Sequence, residues 1–150
     1  PVHATDNATD LYERLTSIAV DQLPDVVSAL VDGKAAVPQD HSRATYWRKR
    51  TELDGAIDWR MPARGVYNLV RSLTDPYPGA TMQVDGSLVR VDRVQVVEDA
   101  EKEARFAAAE PGRVLDACTS HGTFDVRCGI GIVRIVEHEL SEPPRIGSCL

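Results

Sequence analysis

The sequence predicts an α+β domain: one long helix, a second short helix, and then a small antiparallel β-barrel. Three observations carry this. Apolar residues recur at three- and four-residue spacing over residues 7–32, and again in "MPARGVYNLVRSL". After the breaker "TDPYPGA" the apolar period drops to two, the mark of strands. Helical pieces followed by a run of short strands are the pattern of an α+β unit.

The elements follow in order. Ala8, Leu11, Tyr12, Leu15, Ile18, Ala19, Leu23, Val26, Val27, Leu30 and Val31 form one apolar stripe on the first helix. Thr5 or Asp6 is placed to cap its start and Gly33 to end it. Pro24 lies within the pattern and predicts a kink or two abutting helices. Val2 and His3 read as the tail of a strand. "VPQDHSRAT" is polar and irregular, a linker. Pro62 suits the first turn of the second helix, and Val66, Leu69, Val70 and Leu73 make its apolar face. "ATMQVDGSLVRVDRVQVV" sets Met82, Val84, Leu88, Val89, Val91, Val94 and Val96 around an Asp85-Gly86 turn, as in a hairpin. "EDAEKEARFAAAEPG" reads as an exposed loop or loose helical turn. Three further short strands are separated by His121-Gly122 and by Gly129-Ile130-Gly131.

Composition narrows the function classes. The formal charge is −6, and the deficit is shared: residues 1–60 hold 7 Lys/Arg against 10 Asp/Glu, residues 61–150 hold 10 against 13. Phosphate backbones are gripped by clustered cations, so nucleic acid is not an expected partner. No apolar run is long enough to span a bilayer, and "PVHATDNATD" lacks the basic and apolar regions of a secretory signal. Cys118, Cys128 and Cys149 are odd in number, with no C-x-x-C pair, which fits a reduced, cytoplasmic chain. His121 and His138 form no metal set with the cysteines at a credible spacing, so no metal is expected.

The order of pieces is specific as a set. A helix, a linker, "ATYWRKRTELDGAIDW", a helix carrying Asn-x-x-Arg in "YNLVRSL", "DPYPGA", and a barrel with "PGRVL" and "VRCGIG" resemble the back half of the 10-formyltetrahydrofolate-dependent formyltransferase family. That family includes methionyl-tRNA formyltransferases and sugar N-formyltransferases. The resemblance implies an N-terminal Rossmann-like domain that holds folate and the catalytic Asn, His and Asp, and a smaller C-terminal OB-like β-barrel. Residues 1–40 would then be the end of the N-terminal domain, with its last helix. Residues 41–60 would be the inter-domain linker and 61–150 the C-terminal domain. Two departures stand out. Neither Asn7 nor Asn68 begins an N-x-H pattern, and Ile130 stands where the family commonly carries Asp between the glycines. The expectation is a chain with no catalytic residue and no cofactor of its own, inactive alone. N10-formyltetrahydrofolate would serve only the complete enzyme.

The candidate contact residues are Tyr46, Arg48, Arg50, Asn68 and Arg71. If "TYWRKR" is extended, Tyr46, Arg48 and Arg50 share one face and Trp47 and Lys49 the other. By the resemblance, one cation could reach the phosphates of a nucleotide-linked amino sugar or a tRNA end. The alternative is a solvated joint paired with acids of a neighbouring domain. Asn68 and Arg71 lie three apart on one helical face. They either tie this helix to the catalytic domain or satisfy carbonyls of the "PYPGA" turn. Asp54 and Asp58 read as capping or solvated acids. An amino sugar is favoured over methionyl-tRNA as acceptor, because residues 61–150 carry a net −3. The expected partner is the missing catalytic domain, or a second copy through the stripe on helix 7–32. A stand-alone OB-like module for RNA or oligosaccharide, or a degenerate remnant, is the competing reading.

Overall fold

The computed structural model describes residues 1–150. Helix α1 spans Ala8–Val31. Its cap is neither Thr5 nor Asp6 but Asn7, whose side chain accepts the Asp10 N–H while the Asp10 carboxylate accepts the Asn7 N–H. This reciprocal capping box satisfies two donors that a helix start leaves orphaned. Gly33 ends the helix at φ 69°, and the Lys34 N–H returns to the Ala29 carbonyl. Between those ends α1 is a single helix that continues through Pro24, not two abutting ones. None of its residues is buried. Leu11 is half-buried, and the other large apolar side chains run from 46% exposed at Ile18 to 81% at Val31. Val2 and His3 join no strand. The strand expected there has no partner to pair with.

The linker has two characters. Residues 44–50 have no regular structure. After a short 3₁₀ turn at Glu52–Gly55, the chain is stitched to the sheet. Ile57 donates its N–H to the Thr81 carbonyl (2.8 Å), and Gly129 donates to the carbonyls of Trp59 (2.8 Å) and Met61 (3.0 Å). Ala63 donates in turn to Ile130 (2.8 Å). The approach at Gly129 is close: a Cβ there would lie 2.0 Å from the Arg60 carbonyl oxygen. The "RCGIG" segment is therefore the socket for "AIDWRMP". Trp59, only 7% exposed, drops from this strap into the core.

Helix α2, Ala63–Arg71, begins after Pro62 and buries Ala63, Val66 and Val70 against the sheet. The strands are β1 (Ala80–Val84), β2 (Ser87–Val96), β3 (Val114–Cys118), β4 (Thr123–Arg127) and β5 (Ile132–His138). They pair antiparallel in the order β1-β2-β5-β4-β3. The sheet is open, with β1 and β3 at its edges. The α+β class stands, but closure into a barrel is not among these pairings. Isolated bridges from Ala56 to Thr81 and from Cys149 to Arg113 partly cover the two edges.

The β1–β2 turn is the one the sequence announces: Asp85 and Gly86 take φ 49° and 81°, as a two-residue hairpin with this twist requires. Leu88 corrects the expected core. It opposes Gln83 and is 70% exposed. Val89 and Val91 face inward instead, and then Val94 does. A period of two cannot join 91 to 94. The register shift around Arg93 supplies the extra residue, a bulge that moves the inward face from odd to even positions. The core is completed by Met82, Val114, Phe124, Val126, Val133 and Ile135.

Of the exposed loop or helical turn expected here, the structure holds the helical one: a short helix, α3, Ala100–Arg105, capped by Asp99. Its Lys102 reaches Asp125 (2.6 Å), a carboxylate only 1% exposed that Arg134 also holds from β5 (2.7 and 2.9 Å). Burial lowers the Lys102 pKa, but the bonds to Asp125 and Asp116 outweigh it and the net shift is upward. The ammonium stays charged, and α3 stays docked.

Candidate functional site: the joint between α1 and the sheet

Two polar ties bind the start of α1 to the sheet unit. In the first, Arg71 of α2 donates from Nη1 to the carbonyls of Ala4 (3.1 Å) and Asp6 (2.7 Å). Its Nε donates to Asn68 Oδ1 (2.9 Å), and its guanidinium carbon lies 5.5 Å from the Tyr67 ring centroid. Asn68 and Tyr67 thus fix the fork that grips the N-terminal segment. Arg71 engages the carbonyls of Ala4 and Asp6 and not those of the "PYPGA" turn. Asp6 meanwhile takes a two-pronged contact from Arg14 (2.8 and 2.9 Å) and the His3 N–H (2.6 Å). Arg14 foremost, then His3, holds this carboxyl well below the usual carboxylate range.

In the second tie, Thr9 donates its N–H to Thr74 Oγ1 (3.1 Å), and its hydroxyl donates to the Asp75 carbonyl (2.7 Å). A hydroxyl from a distant turn thereby satisfies one of the unpaired donors in the first turn of α1.

Around these ties lies a cleft of about 610 Å³, walled by Tyr12 and Leu15 of α1 and by Arg50, Asn68, Arg71 and Tyr77 opposite. A second hollow of about 520 Å³ adjoins it and includes Lys49 and Gly79. Arg50 and Tyr77 line both. Tyr77, framed by Pro76 and Pro78, is not among the candidate contact residues, since "DPYPGA" reads as a breaker and as one piece of the family resemblance. An aromatic locked between two prolines is the signal that marks it.

The structure separates the other candidates. Arg48 pairs with Asp54 (Nη1 to Oδ2, 2.8 Å), and Asp54 also caps Thr51 (2.7 Å). Arg48 first and Thr51 next depress the Asp54 pKa. Asp58 is likewise taken by Arg60 and lowered to about 2. Tyr46 and Trp47 are each 90% exposed and line neither hollow. Of the basic run, Arg50 and Lys49 make no ion pair. They can meet an anion without breaking one. Asp6 and Asp54, at the walls, are each held by an arginine, so neither is free to act as a general base.

The histidines have local roles. His138 Nδ1 accepts the Leu140 N–H (3.1 Å), so its proton resides on Nε2, which donates to the Gly122 carbonyl (2.6 Å). His121 lies in the β3–β4 turn beside Cys118 and Ser120. No helix is long and apolar enough to cross a membrane.

A helix is clamped by a polar fork to an open antiparallel sheet, and a linker is strapped into a glycine socket. Comparison with known proteins identifies the family. The profile described as "Formyl transferase, C-terminal domain" matches residues 49–146, and the chain belongs to that family. The match begins within the basic run and takes in the strap, α2 and the whole sheet. Among solved structures, two variants of HypX from Aquifex aeolicus share the fold. One aligns at 20% identity with a TM-score of 0.67, covering 92% of this chain and 24% of that one. The other aligns at 21% identity with a TM-score of 0.59, covering 80% and 20%. The chain thus spans about a fifth to a quarter of the length of these relatives.

Proposed function

We propose that this chain is the C-terminal portion of a cytoplasmic formyltransferase that moves a formyl group from N10-formyltetrahydrofolate to an amine, with the catalytic Asn, His and Asp supplied from outside residues 1–150. The observation that carries this is the clamp: Arg71 and Thr74, inside the family-matched segment, grip residues 4–9, outside it. Such a grip fixes the register between α1 and the C-terminal sheet. Helix α1 in turn offers an unburied apolar stripe to the catalytic domain, or to a second copy of the chain.

The residues in hand do not suit a donor site of their own. Asn7 is engaged as a helix cap and Asn68 as the support of Arg71. No step through the folate is assigned to them. Their contribution is orientation: residues that hold an acceptor and a domain in register lower the entropy cost of transfer without touching the reacting carbon. Arg50 and Lys49, free of ion pairs at the rim of the joint, suit the phosphates of a nucleotide-linked amino sugar. The acidic balance of residues 61–150 supports that acceptor over methionyl-tRNA.

The test is complementation. Residues 1–150 are mixed with a formyltransferase catalytic domain and N10-formyltetrahydrofolate, and tetrahydrofolate release is followed with each acceptor. The expected result is no turnover by the chain alone, and turnover on the nucleotide-linked amino sugar when the two are combined. Failure to stimulate transfer to either acceptor, together with salt-sensitive binding of RNA, would replace this reading with that of a stand-alone binding module.

A further inference from the structure

Far from the joint, at the opposite end of the sheet, Cys118 closes a three-membered ring of polar atoms. Its Sγ lies 3.2 Å from Ser120 Oγ and 3.3 Å from His121 Nδ1, and those two lie 3.0 Å from each other. The ring opens into a cavity of about 360 Å³ shared by Phe124, Asp125 and Arg134. In the thiolate form the sulfur faces two donors at once, the Ser120 hydroxyl and the His121 imidazole.

The charges around it do not oppose this. Asp116 and Asp125 line the same cavity, but Lys102 holds Asp116 (3.0 Å) and Lys102 with Arg134 hold Asp125. Two cations balance two carboxylates, so neither carboxylate stands unpaired beside the sulfur. The Ser120 hydroxyl first, then His121, brings the Cys118 pKa down to about 7. Cys128 is the opposite case, a buried thiol pushed up to about 12 by desolvation.

We infer that Cys118 is a site of reversible thiol oxidation by hydroperoxides, with the oxidised sulfur capped by a small external thiol. The thiolate attacks one peroxide oxygen, an S–O bond forms and the O–O bond breaks. Hydroxide leaves from hydrogen peroxide, or alkoxide from an organic hydroperoxide, and takes up a proton from solvent to become water or an alcohol. Sulfur loses two electrons and the peroxide gains them, giving a sulfenic acid. A thiol then attacks that sulfur; water leaves and a mixed disulfide remains.

The cap comes from outside because no internal thiol can reach. Cys149 is bridged to Arg113 at the start of β3, five residues from Cys118 at its end. Cys128 follows the end of β4, five residues beyond Thr123, the partner of Cys118. At roughly 3.3 Å per residue each separation is about 16 Å, against the ~7 Å limit between Cα atoms for a disulfide.

The test treats the full chain with hydrogen peroxide and dimedone and follows adducts on each cysteine by mass spectrometry. The Cys118 rate is expected to reach half its maximum near pH 7, with the Cys128 rate negligible. At pH 7 it should be about threefold faster than for a free thiol of pKa near 8.5, ionisation outweighing the weaker intrinsic nucleophilicity. H121A lies in an exposed turn and leaves the core intact. It should move the half-point upward, and S120A, which removes the larger of the two contributions, should move it further. Equal rates at Cys118 and Cys149, or a half-point unchanged in H121A, would overturn the inference.

Discussion

Helix α1 and the five-stranded sheet are made by different means. Every feature that makes α1 a helix is local: an Asn7–Asp10 box at one end, Gly33 at the other, and a stripe at helical spacing between. Yet it contributes no buried residue, and its apolar side chains meet solvent. The sheet has short strands with weak local signals, but it encloses Phe124, Val126, Val133 and Ile135 almost completely. A stripe proves a helix and not a core. Which face of a molecule is internal depends on what the rest of the chain brings to it.

Substitutions should separate the two regions sharply. Phe124→Ala, in the centre of the sheet, is expected to cost about 3–5 kcal/mol in urea unfolding, through lost burial and a cavity. Gly129→Ala comes next, at about 3 kcal/mol, because its Cβ would meet the Arg60 carbonyl oxygen at 2.0 Å and the strap must move. Gly33→Ala at the end of α1 meets nothing within 4 Å and carries only the left-handed backbone penalty, about 1 kcal/mol, confined to that helix. If Gly129→Ala leaves the melting temperature where it was, the socket is not what holds the strap.

The clamp is the place where the two regions communicate. Arg71→Ala should weaken the hold on residues 4–14 by about 1.4 kcal/mol, seen as roughly tenfold faster amide exchange in the first turns of α1 while exchange in β4 and β5 is unchanged. Acid should reproduce part of this. The Asp6 carboxyl has a lower pKa folded than unfolded, so its contribution is complete above about pH 4, the unfolded value. It fades as pH falls through the depressed folded value. Exchange of the Thr9 and Arg14 amides against pH, below pH 4, reads this directly. Protection that persists to the lowest pH would mean Arg14 and Asp6 do not secure the segment. The smallest effect is expected for Leu23→Ala, within about 0.5 kcal/mol for this chain by itself, since Leu23 is already exposed.

What was legible follows the same division. The span of α1, the end of α1 at Gly33, the Asp85-Gly86 turn and the breaks at His121-Gly122 and Gly129–Gly131 are all written in neighbouring residues. Leu88 misled because a period-two count cannot detect the bulge at Arg93, which is a property of the pairing with Glu137 and not of β2 alone. Among the candidate residues, Asn68 and Arg71 were found by helical spacing, but their grip on Ala4 and Asp6 spans more than sixty residues and leaves no trace in local sequence. Tyr46, Arg48 and Arg50 were grouped as one face of an extended segment. The structure distributes them: Tyr46 in solvent, Arg48 on Asp54, and only Arg50 at the cleft. The Cys118–His121 contact is short in sequence, yet it exists only because the β3–β4 turn folds the imidazole back over the strand end.

The clamp at Arg71 and the strap at Ala56 have a topological result as well. Together they fix both ends of the intervening chain, so residues 34–50 are a closed loop and not a tether. The entropy of closing a loop grows only with the logarithm of its length, about 0.6 kcal/mol for each doubling. Insertions there should leave the clamp nearly as firm as before. That makes the loop the natural place for chain length to vary without altering how the two anchored ends face each other.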